Sequence, residues 1–272
     1  MMIVDYIFIL IYNIICMLLV TLVIASITLI ERKILSLLQR RVGPFFVGYR
    51  GRLQYIADAL KLLNKGLLIP NESNKFWFTA IPSFTAGVIY TFWMNSVWGP
   101  SVSIFEIEYN IVYATILSLL FSYCVLLAGY FSKSKYAFMA SVRCIIMSLN
   151  LEIFLGLLFI NLVFLSESFC ISVFVNFQKF YSFYLIFFGI LGLIAITFLL
   201  ETNRAPFDLA EAESELVSGY TTEYGGFSFA LYYLGEYFHL FFFSLFTAIL
   251  LFGGWESISF FKVLFLQFYY FV

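Results

Sequence analysis

Four glutamates stand where the surrounding sequence is apolar. Glu152 lies near the middle of the apolar run 136–165, and Glu236 lies inside the run 226–253. Glu31 and Glu201 sit at the ends of the runs 3–30 and 182–200. A charge at mid-membrane costs about 2.5–3.5 kcal/mol on insertion scales, so each buried one demands a partner, water or a bound proton. Carboxylates at several depths can hand a proton from one to the next, which is the chemistry of a relay. The competing reading is that each is a packing residue hydrogen-bonded to a neighbouring helix. Arg143 shares the helix of Glu152 but stands nine residues earlier, about 13.5 Å and about 900° of rotation away, so the two face opposite directions. Tyr232, Glu236 and His239 follow helical spacing and form one polar stripe.

An acidic segment adjoins these positions. Residues 201–225 carry six acids and one arginine. Asn203 and Pro206 are helix-start residues. In a helix from there, Asp208, Glu211 and Glu215 share a face and Glu213 points away. First-turn acids complement a helix dipole, which accounts for Asp208 but poorly for Glu213 and Glu215. Residues 31–75 are the counterpart, with nine bases against three acids.

The elements that position these groups follow from composition. Of 272 residues, 63% are hydrophobic and 11% charged, with a mean hydropathy of +0.98. An ordinary soluble domain carries about 25% charged residues, so a soluble enzyme and a disordered chain are both excluded. The expected fold is all-α, a polytopic transmembrane helical bundle of about seven spans: 3–30, 76–98, 111–131, 136–165, 182–200, 226–253 and 257–272. That count puts segments 31–75, 132–135 and 201–225 on one side with twelve of the fifteen Lys/Arg, and leaves only Lys179 on the other. The bias orients the charged loops toward the matrix, or toward the cytoplasm in a bacterium. Leu53, Ile56, Ala57, Leu60 and Leu63 recur at helical spacing with Asp58 and Lys61 opposite, which predicts an amphipathic helix in the interface. Cys16, Cys124, Cys144 and Cys170 share no short spacing, and the single His239 cannot complete a zinc or haem site. The expected metal set is none, and any redox metal would belong to partners. The N-terminus lacks the basic region of a cleavable signal, so the first run is expected to be a retained span. The residue usage, rich in Phe, Ile, Tyr, Asn and Lys, is that of an A/T-rich, organelle-type genome.

Two long motifs carry a resemblance. The first is Glu31-Arg32-Lys33, then Gln39-x-Arg41-x-Gly43-Pro44-x-x-Val47-Gly48-x-x-Gly51-x-Leu53-Gln54-x-x-Ala57-Asp58-Ala59-x-Lys61-Leu62. The second is Glu201-Thr-Asn-Arg-x-Pro-Phe-Asp-Leu-x-Glu-x-Glu-Ser-Glu-Leu-Val-Ser-Gly219, followed by Glu223-Tyr224 and Glu236-Tyr237. The sequence resembles the subunit 1 family of NADH dehydrogenase, the quinone-site membrane subunit of respiratory complex I. The resemblance implies a multi-pass protein of the mitochondrial inner membrane, residues 1–272 forming one transmembrane domain, and loops 31–75 and 201–225 facing the peripheral arm. It implies ubiquinone as substrate, no covalently bound cofactor, and iron–sulfur clusters and FMN held by partner subunits. By motif position, Arg32, Gln39, Arg41, Asp58 and Lys61 would line or brace a quinone tunnel, with Phe227 and Phe229 along its apolar part. Glu31, Glu152, Glu201, Asp208, Glu211, Glu213, Glu215 and Glu236 would form the acidic path that couples quinone reduction to proton translocation. Implied partners are the other complex I subunits, quinone-site peripheral-arm and small membrane subunits among them, and membrane lipids, with no nucleic acid.

The chain departs from the family pattern in places. Gly66-Leu67 follows Lys65 where the family continues with Glu-Pro, and His239 stands where an amide is common. The family's eighth helix and the basic segment before it have no counterpart up to Val272, so a short separate chain is expected to supply them. Three other readings stay open: a stand-alone proton transporter, an assembly scaffold, and a quinone-free relative such as a membrane-bound hydrogenase subunit.

Overall fold

The computed structural model describes residues 2–95, 108–178, 188–204, 207 and 219–256. Among these the chain is helical, with no strand. Eight α-helices follow in order: α1 (Met2–Leu38), α2 (Gln54–Asn64), α3 (Lys75–Asn95), α4 (Asn110–Phe131), α5 (Lys135–Ser166), α6 (Ile171–Gln178), α7 (Phe188–Glu201) and α8 (Gly226–Phe252). Helices therefore stand at six of the seven expected spans, and the seventh, 257–272, lies outside the described residues. Four of the described helices are long and apolar enough to cross a membrane, at Ile11–Leu38, Asn110–Phe131, Lys135–Ser166 and Gly226–Phe252. Sequence periodicity did not foresee α6.

The bundle is built around α8. Within its apolar window 89% of residues are buried, against 17% for that of α1, so α8 is the core helix and α1 an edge helix. A helix apolar on all sides has no stripe to bury against water, and in a bilayer its outer faces meet lipid at no cost. Packing then depends on shape. Phe92, Phe121, Phe242, Phe243 and Phe246 fill the space where α3 and α4 meet α8, and α7 joins through Phe198, whose ring lies 5.1 Å from that of Phe243.

The amphipathic helix of the first loop is present as α2, and none of its residues is buried. Its apolar stripe, Leu53, Ile56, Leu60 and Leu63, is exposed, as an interfacial helix requires. Loop 39–53 is fastened to α1 by Lys33, whose Nζ donates to the Arg50 carbonyl at 2.7 Å. At Gly226 the chain comes within reach of α2: φ is +59°, and a Cβ there would lie 2.6 Å from the carbonyl oxygen of Lys65. A Gly226→Ala variant should lose about 1–3 kcal/mol through this clash and the left-handed backbone. The loss should appear as a lowered melting temperature of the assembled protein, and an unchanged melt would refute the packing.

One expectation about the second loop is corrected. Asn203 does not open a helix. It adopts φ 48° and closes α7, and the Arg204 N–H donates to the Leu199 carbonyl at 3.2 Å. Asparagine tolerates the left-handed conformation that ends a helix, so the same residue type serves both roles.

Candidate functional site

Four elements converge around Glu31: α1, which carries it, α2 beside it, the turn after α7, and α8. Arg204 donates from Nη1 to Glu31 Oε1 at 2.6 Å, and the Tyr237 hydroxyl donates to Oε2 at 2.5 Å. The Arg204 guanidinium also lies over the Tyr237 ring, 4.7 Å from its centroid. Burial works against the charge on Arg204, but Tyr237 and Glu31 outweigh it and hold the guanidinium above its usual range. The carboxylate thus has both oxygens satisfied by groups from two other elements, a closed arrangement that fixes α1 against α8.

One residue along, Arg32 points to α2. Its Nη1 donates to Asp58 Oδ2 at 2.7 Å, and Gln54 Nε2 donates to Asp58 Oδ1 at 3.0 Å. The Arg32 and Asp58 side chains are 49% and 37% exposed, so this pair is open to an incoming molecule. Beside it an aromatic column climbs α8. Phe229 stacks on Tyr233 with centroids 5.9 Å apart, and Tyr233 meets Tyr237 at 4.8 Å with the hydroxyls 3.1 Å apart. Charged donors at one end of a ring-lined column suit a planar, oxygen-bearing ligand with an apolar tail.

Two further acids are fixed separately. Ser118 on α4 donates to Glu152 Oε1 at 2.7 Å, while Oε2 has no partner among the described residues. Glu152 also lines a small cavity of about 10 Å³ with Thr115, Phe159 and Phe243, and it lies within electrostatic reach of Glu201. Glu201 is buried at the end of α7. Glu236 accepts a short hydrogen bond from the Tyr220 hydroxyl. Tyr224, just before α8, donates to the Ala128 carbonyl at 3.1 Å, and burial pushes its phenol up to about 12, so it stays protonated and keeps donating.

Along the polar stripe of α8, Tyr232 and His239 are buried; Tyr232 meets Tyr224, with ring centroids 4.9 Å apart, and His239 Nε2 has no partner among the described residues. His239 is packed by rings, 5.0 Å from Phe121, 4.5 Å from Phe243 and 5.8 Å from Phe92. The Arg143–Glu152 geometry agrees with the helical arithmetic, since Arg143 is exposed and Glu152 buried.

Residues 11–272 match the NADH dehydrogenase family. The chain belongs to that family. It is 63% identical over 250 residues to NADH-ubiquinone oxidoreductase chain 1 of Paramecium tetraurelia, spanning 92% of this chain and 96% of that one. It is 39% identical over 266 residues to the chain of the same name from Metridium senile, spanning 96% and 79%. A bacterial NADH-quinone oxidoreductase subunit, from Rhodospirillum centenum, is 39% identical over 225 residues, spanning 83% and 67%.

The family motifs map unevenly onto the structure. Glu31, Arg32 and Asp58 come together, and Phe229 lies on the same side of α8 as Tyr233 and Tyr237. Gln39, Arg41 and Lys61 are exposed around the end of α1 and along α2. Phe227 does not join Phe229. It turns to α3, where it lines a separate cleft with Phe78 and Thr79. Two residues along a helix are about 200° apart, so neighbours in sequence cannot share one channel wall. Asp208, Glu211, Glu213 and Glu215 lie outside the described residues. Sequence reasoning gives no site role to Arg204, Tyr220, Tyr237 or Ser118. Arg204 does carry a signal, as the lone base of an acidic segment, whereas nothing marks Ser118 out from other serines of apolar helices.

Proposed function

We propose that this chain is a membrane subunit of proton-pumping NADH:ubiquinone oxidoreductase. In this reading it forms part of the quinone tunnel and of the acidic path that links quinone reduction to proton translocation. The observation that carries the proposal is the shared helix turn of Glu31 and Arg32. Arg32 faces an open Asp58 pair beside the aromatic column, where a quinone headgroup would find charged donors and its tail an apolar wall. Glu31 faces inward to Arg204 and Tyr237, where a change of charge at the headgroup is felt by the carboxylate next to it. Adjacent residues thus couple the ligand side to the protein interior across one peptide bond.

Further inward, Glu201 and Glu152 continue the path. The acids of the 201–225 loop extend it by motif position. The chain supplies donors and carboxylates. Electrons arrive from iron–sulfur clusters and FMN in the partner subunits of the peripheral arm, and the site lies at the matrix face of the inner membrane.

The test separates the two halves of the enzyme. Asp58→Asn and Arg41→Ala should lower NADH:ubiquinone activity by about 10- to 100-fold, the worth of one charge-assisted hydrogen bond, in complexes that still oxidise NADH with an artificial acceptor. Because the Arg32–Asp58 pair is open to solvent, its loss should cost stability less than about 1 kcal/mol. Full quinone activity in both assembled variants would refute the site. A purified chain that carried protons alone would favour a transporter instead.

A further inference from the structure

The hydroxyl bonds of the tyrosine column have a direction. Tyr233 and Tyr237 stand four residues apart on α8, so they share a face, one helical turn apart. Their hydroxyls are 3.1 Å from each other, close enough for a hydrogen bond in either sense. A phenol carries one proton and accepts with its lone pairs. The Tyr237 proton is already committed, because that hydroxyl donates to Glu31 Oε2 at 2.5 Å. Tyr233 must therefore donate to Tyr237. The bonds run from Tyr233 to Tyr237 to Glu31, each pointing inward to the carboxylate.

The two phenols differ in exposure. Tyr237 is buried and Tyr233 half-buried, and both lie within electrostatic reach of Arg32 on the open side. Each ring is held from two sides. Tyr233 is stacked on Phe229 and meets Tyr237 at 4.8 Å, and Tyr237 lies beneath the Arg204 guanidinium. A buried hydroxyl needs a partner, which explains the bond from Tyr237 to Glu31. It does not explain a second, half-open phenol that feeds the first.

On the quinone-site reading above, on which this step rests, we propose that Tyr233 and Tyr237 relay a proton from Glu31 to an oxygen of the quinone headgroup. Tyr233 is the residue that hands it over. In the loaded state Glu31 is protonated and donates to Tyr237, Tyr237 donates to Tyr233, and Tyr233 donates to the headgroup oxygen. As electrons from the peripheral arm reduce the quinone, each proton moves one oxygen along. The O–H bond of Glu31 breaks, a new O–H bond forms on the quinone, and both tyrosines end neutral. The arrangement in the structure is the discharged state: Glu31 is a carboxylate paired with Arg204, and both hydroxyls point back toward it. Refilling Glu31 from the inner acids resets the relay, so each reduction draws a proton out of that path.

The experiment uses the intact complex in reconstituted vesicles with a short-tailed ubiquinone. Tyr233→Phe keeps the ring stack and deletes one hydroxyl. It should lower quinone turnover by about 10²-fold, the lower end of what a positioned proton-transfer group contributes, in complexes that still oxidise NADH with an artificial acceptor. Tyr237→Phe should do the same. The double variant should be no slower than either single one, since members of one relay act as a unit. The solvent deuterium isotope effect should rise in every variant, because proton delivery becomes the slow step. If the tyrosines only pack α8, Tyr233→Phe leaves the Tyr237–Glu31 bond whole, and its rate and isotope effect should match wild type; that result would overturn the relay. Losses that multiply in the double variant would overturn it too. Failure of the site is distinguishable: Asp58→Asn still lowers quinone activity if the relay alone is wrong, and has no effect if the site is wrong. Where the variants fail to assemble, wild type decides. Infrared difference spectra of quinone reduction should show a protonated-carboxyl band disappearing together with a shift of a tyrosine C–O band, and spectra without that pair would sink the proposal.

Discussion

Arg204→Ala should abolish quinone reduction while NADH oxidation by an artificial acceptor continues in whatever complex assembles. Among the described residues Arg204 is the one cation that reaches Glu31, at 2.6 Å, and the two side chains are 24% and 12% exposed. Removing one partner of a largely buried pair leaves the other charge uncompensated, at a cost of about 3–5 kcal/mol. Glu31 would keep Tyr237 alone. Arg204→Lys should fall between, since an ammonium can pair with the carboxylate but cannot lie flat on the Tyr237 ring.

A double-variant cycle divides stability from function. Glu31→Gln in the Arg204→Ala background removes the stranded charge, so the melting temperature should recover part of its loss. Quinone reduction should not recover, because the carboxylate that responds to the headgroup is gone. If activity returned along with stability, the cluster would be a structural clamp and the coupling role of Glu31 would be lost. If neither single variant changed activity, the site itself would be refuted.

The fold was legible wherever apolar length and charge asymmetry carried the information. Helices stand at six expected spans, and α2 exposes the apolar face that its spacing implied. Those signals are one-dimensional. What they cannot encode is which face of a helix meets which neighbour when every face is apolar. Phe227 and Phe229 show this: a two-residue separation in a uniformly aromatic stretch decides between the α3 cleft and the tyrosine column. Asn203 shows the related ambiguity of a residue that starts helices by its side chain and ends them by its backbone. His239 belongs to a polar stripe by spacing, and the spacing is right, but the neighbouring surface is made of phenylalanine from α3 and α4. Glu31 is marked by its place at the end of an apolar run, and the site roles of Arg32 and Asp58 come from the resemblance. The partners that give them meaning, Arg204 and Tyr237, lie 173 and 206 residues from Glu31, and no local pattern links them.

Glu152→Gln should produce the second large effect. It should lower proton-coupled quinone reduction by about 10²-fold, the lower end of what a positioned acid–base group contributes. Quinone turnover in uncoupled membranes should fall less. The side chain is nearly isosteric and its amide can still accept from Ser118, so packing is kept and only the proton is removed from the position. Ser118→Ala is the control. It keeps the carboxyl group and deletes one hydrogen bond worth about 1 kcal/mol, which corresponds to about five-fold. The order of effects therefore discriminates between mechanisms. If Glu152 carries protons, the glutamine variant should be far worse than the alanine variant, and Glu152→Asp should restore part of the rate. If Glu152 only pins α5 to α4, the glutamine variant, which keeps the bond, should stay close to wild type, Ser118→Ala should be the worse of the two, and Glu152→Asp, whose shorter side chain strains the 2.7 Å contact with Ser118, should be impaired as well. Proton uptake per quinone reduced, measured in reconstituted vesicles, reads the same distinction directly: the ratio falls in the first case and is unchanged in the second.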